Sequence, residues 1–335
     1  MSDPPEMLQE ADLPTDSGDT TARDGAVTTP QSPELAAEGT AAPGATEHAA
    51  QVAEPEKALN IPPPPDPDYP RYRVEPGATV RLSEIDPDES EHYTKKKEVE
   101  DELDRQRDRI RDLQARLYAE NRQSLLIVLQ AMDTGGKDGT IRGVFQGVNP
   151  QGCQVWSFKA PSAEELEHDF LWRYHDKTPP RGLIHIFNRS HYEDVLVVRV
   201  KNLVHEDVWR HRYNMINEFE HMLSLNNTVV IKFYLHISKD EQKRRLESRL
   251  KDPNKHWKFS SNDLKERAYW DEYMLAFEDA ISNCSTGYAP WYVVPANKKW
   301  YRNLVIARTI ADTLEAMNPQ FPKAEEGLDK IVIGD

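Results

Sequence analysis

The 335-residue sequence contains little cysteine and no long hydrophobic segment. Its two cysteines, Cys153 and Cys284, stand in no metal-ligand spacing, which argues against a disulfide framework or a zinc site. No stretch reaches the roughly 18 apolar residues that a membrane span requires. The first residues also lack the basic and apolar regions of a secretory signal. We therefore expect a cytoplasmic protein with no membrane partner.

Basic residues are outnumbered by acidic ones, 42 to 57, which gives a formal net charge of −15. Most of the deficit lies in residues 1–60, where twelve acidic residues are balanced by only Arg23 and Lys57. Nucleic-acid binding requires an extended basic surface, which this balance does not favour. We therefore expect no nucleic-acid partner, while a local basic groove remains open.

The composition divides the chain into four segments. Residues 1–58 hold almost no aromatic residues or β-branched core formers (Val and Ile) and are predicted to form a disordered acidic tail. Residues 59–122 form a lead-in with one long helix over 92–122, because apolar residues recur there at helical spacing: Val99, Leu103, Ile110, Leu113 and Leu117. Residues 123–320 form the core, and 321–335 a C-terminal tail. A coiled-coil partner for the helix is an alternative that its short stripe does not favour.

From Ser124 onward, short apolar runs alternate with amphipathic stretches. The predicted strands are 124–130, 153–158, 182–188, 228–237 and 291–296, and the predicted helices are 162–174, 206–225, 239–250, 262–283 and 299–317. Ser162 and Ser238 each precede a glutamate by three residues, the spacing of a capping box. This alternation predicts an α/β fold whose central parallel sheet is covered by helices on both faces.

The first strand runs directly into a glycine-rich turn, Ala131-Met-Asp-Thr-Gly-Gly-Lys-Asp-Gly-Thr140, and then a helix. This arrangement is typical of a P-loop, in which backbone N–H groups and a lysine hold phosphates. The candidate phosphate-binding residues are Gly135, Gly136, Lys137, Gly139 and Thr140.

The loop departs from the common P-loop pattern at two positions. Ala131 replaces the first glycine, and Asp138 replaces the usual hydroxyl residue. Asp133 adds a second acid inside the loop. Carboxylates bind Mg²⁺, so Asp133 and Asp138 are the candidate metal ligands. A plain glycine-rich turn with a surface lysine is the alternative, which the strand–loop–helix order does not favour.

A second polar cluster follows the strand that ends near Phe187. Because ligands bind at the carboxyl ends of parallel strands, this cluster is predicted to lie beside the glycine-rich turn at residues 131–140, which we call the phosphate loop. Asn188 stands where magnesium-binding motifs usually carry aspartate. Arg189 suits bidentate phosphate contact, and Glu193 can orient an acceptor or a metal-bound water. For His191, ordinary packing is the favoured interpretation.

Residues 239–267 carry ten lysines and arginines against six acids, in contrast to the rest of the chain. The predicted order of helix, turn and helix suits a mobile lid that closes over phosphates. Arg245, Arg249 and Lys258 are its candidate phosphate-binding residues. A solvated helical hairpin with internal ion pairs is the alternative.

The segments AMDTGGKDGTI, IFNRSHYEDV, KDPNKHWKFS and APWYVVPANKKWYRNLVIARTI together resemble the family-2 polyphosphate kinases. The resemblance covers roughly residues 60–320. It implies a three-layer α/β/α P-loop kinase fold with a helical lid, similar to thymidylate kinase. It also implies phosphoryl transfer between inorganic polyphosphate and nucleotides with Mg²⁺ or Mn²⁺. We further expect a homo-oligomer.

The resemblance extends to the site. It implies catalytic roles for Asp133, Lys137, Arg189 and Glu193. A glutamate after Ser-His-Tyr resembles the subgroup that phosphorylates both AMP and ADP, forming ADP and ATP reversibly. Two other functions stay open on the residues alone: an ATP-dependent nucleotide kinase of related fold, and a non-catalytic protein that binds polyphosphate or RNA.

Overall fold

The computed structural model describes Tyr69 and residues 72–334. The predicted disordered tail at 1–58 lies outside the described residues, as do residues 59–68 of the predicted lead-in. Within them, no helix combines the length and hydropathy that crossing a bilayer requires.

Five strands and ten α-helices make up the regular structure of the described residues. The strands are β1 (Ser124–Gln130), β2 (Cys153–Ser157), β3 (Ile184–Asn188), β4 (Thr228–His236) and β5 (Trp291–Pro295). The helices are α1 (Lys97–Glu120), α2 (Lys137–Val144), α3 (Ala163–Leu166), α4 (Trp172–His175), α5 (Val197–Val200), α6 (Glu206–Leu225), α7 (Lys239–Lys251), α8 (Ser261–Ala268), α9 (Trp270–Cys284) and α10 (Lys299–Met317). Short 3-10 helices include His191–Val195 and Pro253–Lys258.

The strands form one parallel sheet in the order β2-β3-β1-β4-β5. Strand β1 lies at the centre and is buried along its whole length, as its unbroken apolar sequence predicts. After β1, the chain adds β2 and β3 on one side of it and then β4 and β5 on the other. Because the strand order reverses at β1, a crevice opens beside it at the carboxyl edge of the sheet. The predicted three-layer α/β/α fold is confirmed.

Helix α1 packs against α10, which covers the sheet. Of its predicted stripe, Val99, Leu103, Ile110 and Leu117 are buried in the core, and Leu113 packs against it half-buried. The helix begins at Lys97, five residues later than predicted, because Thr94 and the residue after it donate backbone N–H groups to the Glu98 side chain.

Two predicted helices are each broken in the structure. The stretch 162–174 contains α3 and α4 with a turn between them, where Leu171 donates its N–H to Asp169. Helix α3 buries none of its residues, so no packing extends it, although Ser162 and Glu165 form the predicted capping box. The stretch 262–283 is interrupted at Tyr269.

Candidate active site

The phosphate loop connects β1 to α2, and two glycines shape it. Gly136 has a φ of +105°, which glycine adopts without strain, and a Cβ there would collide with the Arg302 guanidinium. A Cβ at Gly135 would lie 2.8 Å from the carbonyl oxygen of Met132. Helix α2 begins at Lys137, so the unpaired N–H groups of its first turn are available to an anion.

Lys137 is half-buried, and its Nζ donates to the carbonyl oxygen of Ala131 at 3.1 Å. Burial lowers the pKa of this lysine, and the neighbouring Arg189 lowers it further, against the attraction of Asp133 and Glu193. The protein alone therefore leaves the ammonium charge partly unsatisfied, and a bound phosphate would stabilise it.

The end of β3 contacts the phosphate loop directly. Asn188 pairs in register with Leu129 of β1, and its Nδ2 donates to Oδ1 of Asp138 at 2.8 Å. Arg189 donates from Nη2 to Oδ1 of Asp133 at 2.9 Å. The prediction that this polar cluster lies beside the phosphate loop is confirmed.

Arg245 supports the loop from behind. Its Nε donates to Glu241 at 2.6 Å, and its Nη1 donates to the carbonyl oxygens of Thr134 and Gly135 at 3.1 and 2.9 Å. Its Nη2 donates to the carbonyl oxygens of residues 296–297 at 2.6 and 3.1 Å. Because protein atoms already accept from each of its three nitrogens, its phosphate-binding role stays a prediction.

Other predicted phosphate-binding residues have different surroundings. Thr140 is buried, and its hydroxyl donates to the carbonyl oxygen of Gly136 at 3.2 Å, so it stabilises the first turn of α2. Arg249 donates to the carbonyl oxygen of Lys258 at 3.1 Å and pairs with Asp263 at 3.2 Å. This pairing holds α7 and α8 together, so the predicted lid carries internal ion pairs as well as free cations.

The phosphate loop forms the floor of a cleft of about 780 Å³ that we call the phosphate cleft. Among the described residues its lining includes eleven cations and four acids: Lys137, Arg142, Lys159, Arg189, Arg244, Arg245, Arg249, Lys255, Lys258, Lys299 and Arg302, against Asp133, Asp138, Glu241 and Asp263. Such an excess attracts a polyanion. The cleft brings together the loop, the lid and the start of α10.

Besides Arg142 on α2, three cations of this cleft that lie outside the predicted lid were missed from the sequence. Lys159 follows β2 closely, and Lys299 and Arg302 lie in the first turn of α10 after β5. Burial, and then repulsion from Arg245, lowers the pKa of Arg302 to about 9. The rule that placed the β3 cluster at the carboxyl edge of the sheet could have found all three.

A second cavity of about 620 Å³, which we call the apolar cavity, lies on the other side of Arg189. Most of its lining is apolar or aromatic, including Met132, Phe158, Pro161, Phe170, Tyr174, Val198, Val204 and Phe277. Glu193 lines this cavity and not the phosphate cleft. Four residues line both spaces: Asp133, Phe158, Lys159 and Arg189. The two cavities therefore meet at the Arg189–Asp133 pair.

Within the described residues, no group of three or more His, Cys, Asp and Glu side chains is placed to hold a metal ion. Asp133 and Asp138 supply only two carboxylates. That number still fits Mg²⁺ at a phosphate site, because magnesium there takes one or two carboxylates and completes its shell with substrate phosphates and water. Both acids line the phosphate cleft, where those phosphates would lie.

Comparison with known proteins identifies relatives along most of the chain. The family model described as Polyphosphate kinase 2 (PPK2) matches residues 93–322. An AMP/ADP-polyphosphate phosphotransferase of Meiothermus ruber is 52% identical over 267 residues, which are 78% of this chain and 99% of that protein. An ADP-polyphosphate phosphotransferase of Rhodopseudomonas palustris is 45% identical over 269 residues, 76% of this chain and 92% of that one.

A solved structure shows the same fold. The crystal structure of Polyphosphate Kinase 2 from Arthrobacter aurescens matches with a TM-score of 0.74 at 44% identity, covering 77% of this chain and 93% of that one.

Proposed function

Because the chain belongs to the polyphosphate kinase 2 family, we propose that it transfers phosphoryl groups from inorganic polyphosphate to AMP and ADP. The products are ADP and ATP, and the transfer is reversible. The observation that supports this most is the meeting of the phosphate cleft with the apolar cavity at Arg189 and Asp133. One space suits a polyanion, and the other suits the base and ribose of a nucleotide.

The chemistry requires one P–O bond to break at the end of the polyphosphate and one to form to an acceptor phosphate oxygen. Such a transfer depends on alignment and charge neutralisation more than on covalent catalysis. Lys137 and Arg189 are placed to stabilise charge on the transferred group. The N–H groups of the phosphate loop align the donor end. The remaining cations of the cleft hold the length of the polyphosphate.

Enzymes of this kind generally need a divalent metal ion, and we propose Mg²⁺ or Mn²⁺ held by Asp133 and Asp138. When bound, the ion supplies charge neutralisation on the phosphates. Asn188 orients Asp138 through their 2.8 Å hydrogen bond, and Arg189 orients Asp133. Asn188, which stands where such motifs usually carry aspartate, therefore positions the proposed metal ligand Asp138.

Assembly as a homo-oligomer, a cytoplasmic location and the absence of nucleic-acid partners stay predictions.

Glu193 is the residue that we propose adapts the site to AMP as well as ADP. Its side chain lines the apolar cavity beside Arg189. Within the described part of the chain, its carboxylate makes no hydrogen bond or ion pair of its own. It is therefore available to a substrate, a metal ion or ordered water.

The decisive experiment omits ATP. Purified protein is incubated with AMP, Mg²⁺ and polyphosphate, and ADP and ATP are quantified by anion-exchange chromatography. We expect both products to appear in order, and neither when polyphosphate is left out. Phosphorylation of AMP by ATP alone, without use of polyphosphate, would instead identify an ATP-dependent nucleotide kinase. Polyphosphate binding without turnover would identify a non-catalytic binding protein.

A further inference from the structure

A charged network lies inside the core below the end of β3, and none of its members lines either cavity. It consists of Glu220 on α6, Lys232 on β4, and His191 and Tyr192 in the 3-10 helix after β3. All four residues have no solvent exposure. Oε1 of Glu220 accepts from Tyr192 Oη at 2.9 Å and from His191 Nε2 at 3.1 Å. Lys232 pairs with Oε2 of Glu220 and donates to the carbonyl oxygen of Cys284 at 2.7 Å.

The protonation states follow from these contacts. Burial opposes charge on Glu220, but the attraction of Lys232 and the hydrogen bond from His191 outweigh it, so the pKa of Glu220 stays below its ordinary value. Burial lowers the pKa of His191, which keeps that ring neutral. Its Nδ1 has no hydrogen-bond partner among the described residues, so its one proton belongs on Nε2, where it is donated to the Glu220 carboxylate.

Burying a charged network in a core is energetically unfavourable. Removing two charges from water costs free energy for each ion, and apolar residues of similar volume often give equal or greater stability. The network therefore needs an explanation other than stability. His191 and Tyr192 anchor the short segment 189–193 to Glu220. The same segment carries Arg189 and Glu193.

That segment is strained where it leaves β3. Arg189 has a φ of +62°, a left-handed conformation that is unfavourable for a non-glycine residue. Such strain persists only where the surrounding structure fixes it. Ser190 is held by Gln130 at 3.3 Å, and its Oγ accepts the N–H of Tyr192 at 3.2 Å. The contacts of the next two side chains to Glu220 complete this fixation.

We propose that Glu220 is a positioning residue for phosphoryl transfer. Through His191 and Tyr192 it holds the backbone of residues 189–193, so that Arg189 faces Asp133 and Glu193 faces the apolar cavity. This inference rests on the roles given to Arg189 and Glu193 in the proposed function. A test must therefore report on the segment itself as well as on turnover.

Two variants of the network test the proposal. Tyr192→Phe removes one donor to Glu220 and keeps the ring that packs edge-on against Trp291, with centroids 4.7 Å apart. The double variant Glu220→Leu/Lys232→Met removes the acceptor of both hydrogen bonds together with both charges, so neither charge is left buried alone. The control is Leu117→Ala on α1, which is fully buried, lines neither cavity, and creates a cavity that lowers stability.

We expect faster amide hydrogen exchange at residues 189–195 in both network variants, with exchange in β1 unchanged. We also expect kcat with polyphosphate to fall at least tenfold in the double variant and a few-fold in Tyr192→Phe. In an Arg189→Ala background the double variant should cause little further loss, because both changes remove the same function. Leu117→Ala should lower Tm while leaving kcat and exchange at 189–195 unchanged.

Unchanged exchange at 189–195 in both network variants would overturn the proposal, whatever happens to turnover. A loss of kcat that follows Tm in the same way for all variants, including Leu117→Ala, would also overturn it. If the wild type shows no polyphosphate-dependent turnover, the proposed function fails, whereas the exchange measurement still decides whether Glu220 holds the segment.

Discussion

Arg189 donates a hydrogen bond to Asp133 at 2.9 Å, and this pair stands where the phosphate cleft meets the apolar cavity. One partner comes from the phosphate loop and the other from the end of β3. In the proposed function, this pair is the place where the donor phosphoryl group would meet its acceptor. Arg189 would neutralise charge on the transferred group, and Asp133 would be one of the two residues that hold the metal ion. The arrangement makes the pair the centre of the following predictions.

Lys137→Ala is expected to lower kcat by about two to three orders of magnitude, the usual effect of removing a group that stabilises transition-state charge. Stability should change little, because burial lowers the pKa of Lys137 and its charge is not stabilised by the fold. Steady-state turnover and thermal melting measure the two effects. Lys97→Ala, on the exposed face of α1, serves as control. Near-wild-type turnover in a folded Lys137→Ala protein would refute the assignment.

Two lid arginines are expected to behave differently. Arg245→Ala removes the donor to Oε1 of the buried Glu241, whose Oε2 still pairs with Arg244 at 2.8 Å, and a donor to each of four carbonyl oxygens. It should therefore cost about 2–3 kcal/mol of unfolding free energy. Arg249→Ala breaks a half-buried pair with Asp263, which should cost no more than about 1 kcal/mol. Its effect should be a higher KM for polyphosphate, and the ratio of the variant's KM to that of wild type should shrink as salt screens the lost charge. Denaturant unfolding and KM titrations separate the two, and equal losses of stability would contradict this division.

Much of the fold follows from the sequence because strong patterns dictate it. Helix α10 has the predicted bounds, and β1 was placed correctly because an unbroken apolar run must be buried. The interruption at Tyr269 carries no glycine or proline. It arises because α9 packs in the core while α8 pairs with α7 through Asp263. Such a break depends on contacts distant in sequence, which periodicity does not encode.

Part of the candidate site could likewise be predicted from the sequence, and part could not. The P-loop and the polar residues after β3 could be found, because local motifs and the strand-end rule specify them. The apolar cavity was not predicted, since its walls come from several helices distant in sequence. Packing was the favoured interpretation for His191, and the residue is indeed fully buried. Its contact with Glu220 could not be predicted, because periodicity does not show which charges meet inside a core.

Asp194 should make stability depend on pH. Burial raises the pKa of this carboxyl from 3.8 to about 6, against the attraction of Arg212. Between about pH 4 and pH 6, Asp194 therefore keeps its proton in the folded protein and has lost it in the unfolded chain. Stability from this group is present below pH 4 and is lost as the pH rises through 6. Two pKa units correspond to about 3 kcal/mol.

The measurement compares wild type with Asp194→Asn by denaturant unfolding at pH 4, 5, 6 and 7. The asparagine variant should be more stable relative to wild type at pH 7 than at pH 4, by about 2–3 kcal/mol. Asp101→Asn, an exposed carboxylate on α1, is the control for general charge effects. A constant difference across this range would show that Asp194 does not titrate there.

Glu193→Asn should impair the use of AMP more than the use of ADP. AMP is one phosphate shorter than ADP, so the acceptor oxygen must be brought to the Arg189–Asp133 pair by something that fills the missing length. A carboxylate that lines the apolar cavity beside Arg189 can do so through a metal ion or its waters. We expect kcat/KM for AMP to fall at least tenfold more than for ADP, which is about 1.4 kcal/mol of transition-state stabilisation.

The control for this last prediction is Glu165→Gln, which removes a carboxylate from the same cavity, where it pairs with Arg173 at 3.2 Å. A general loss of negative charge would affect both variants alike, whereas a specific acceptor role affects only Glu193→Asn. Equal losses for AMP and ADP in Glu193→Asn would make Glu193 a general metal-site or structural residue. If the wild type does not phosphorylate AMP, the proposal that it uses both AMP and ADP fails, and Glu193 has no role in binding the shorter nucleotide.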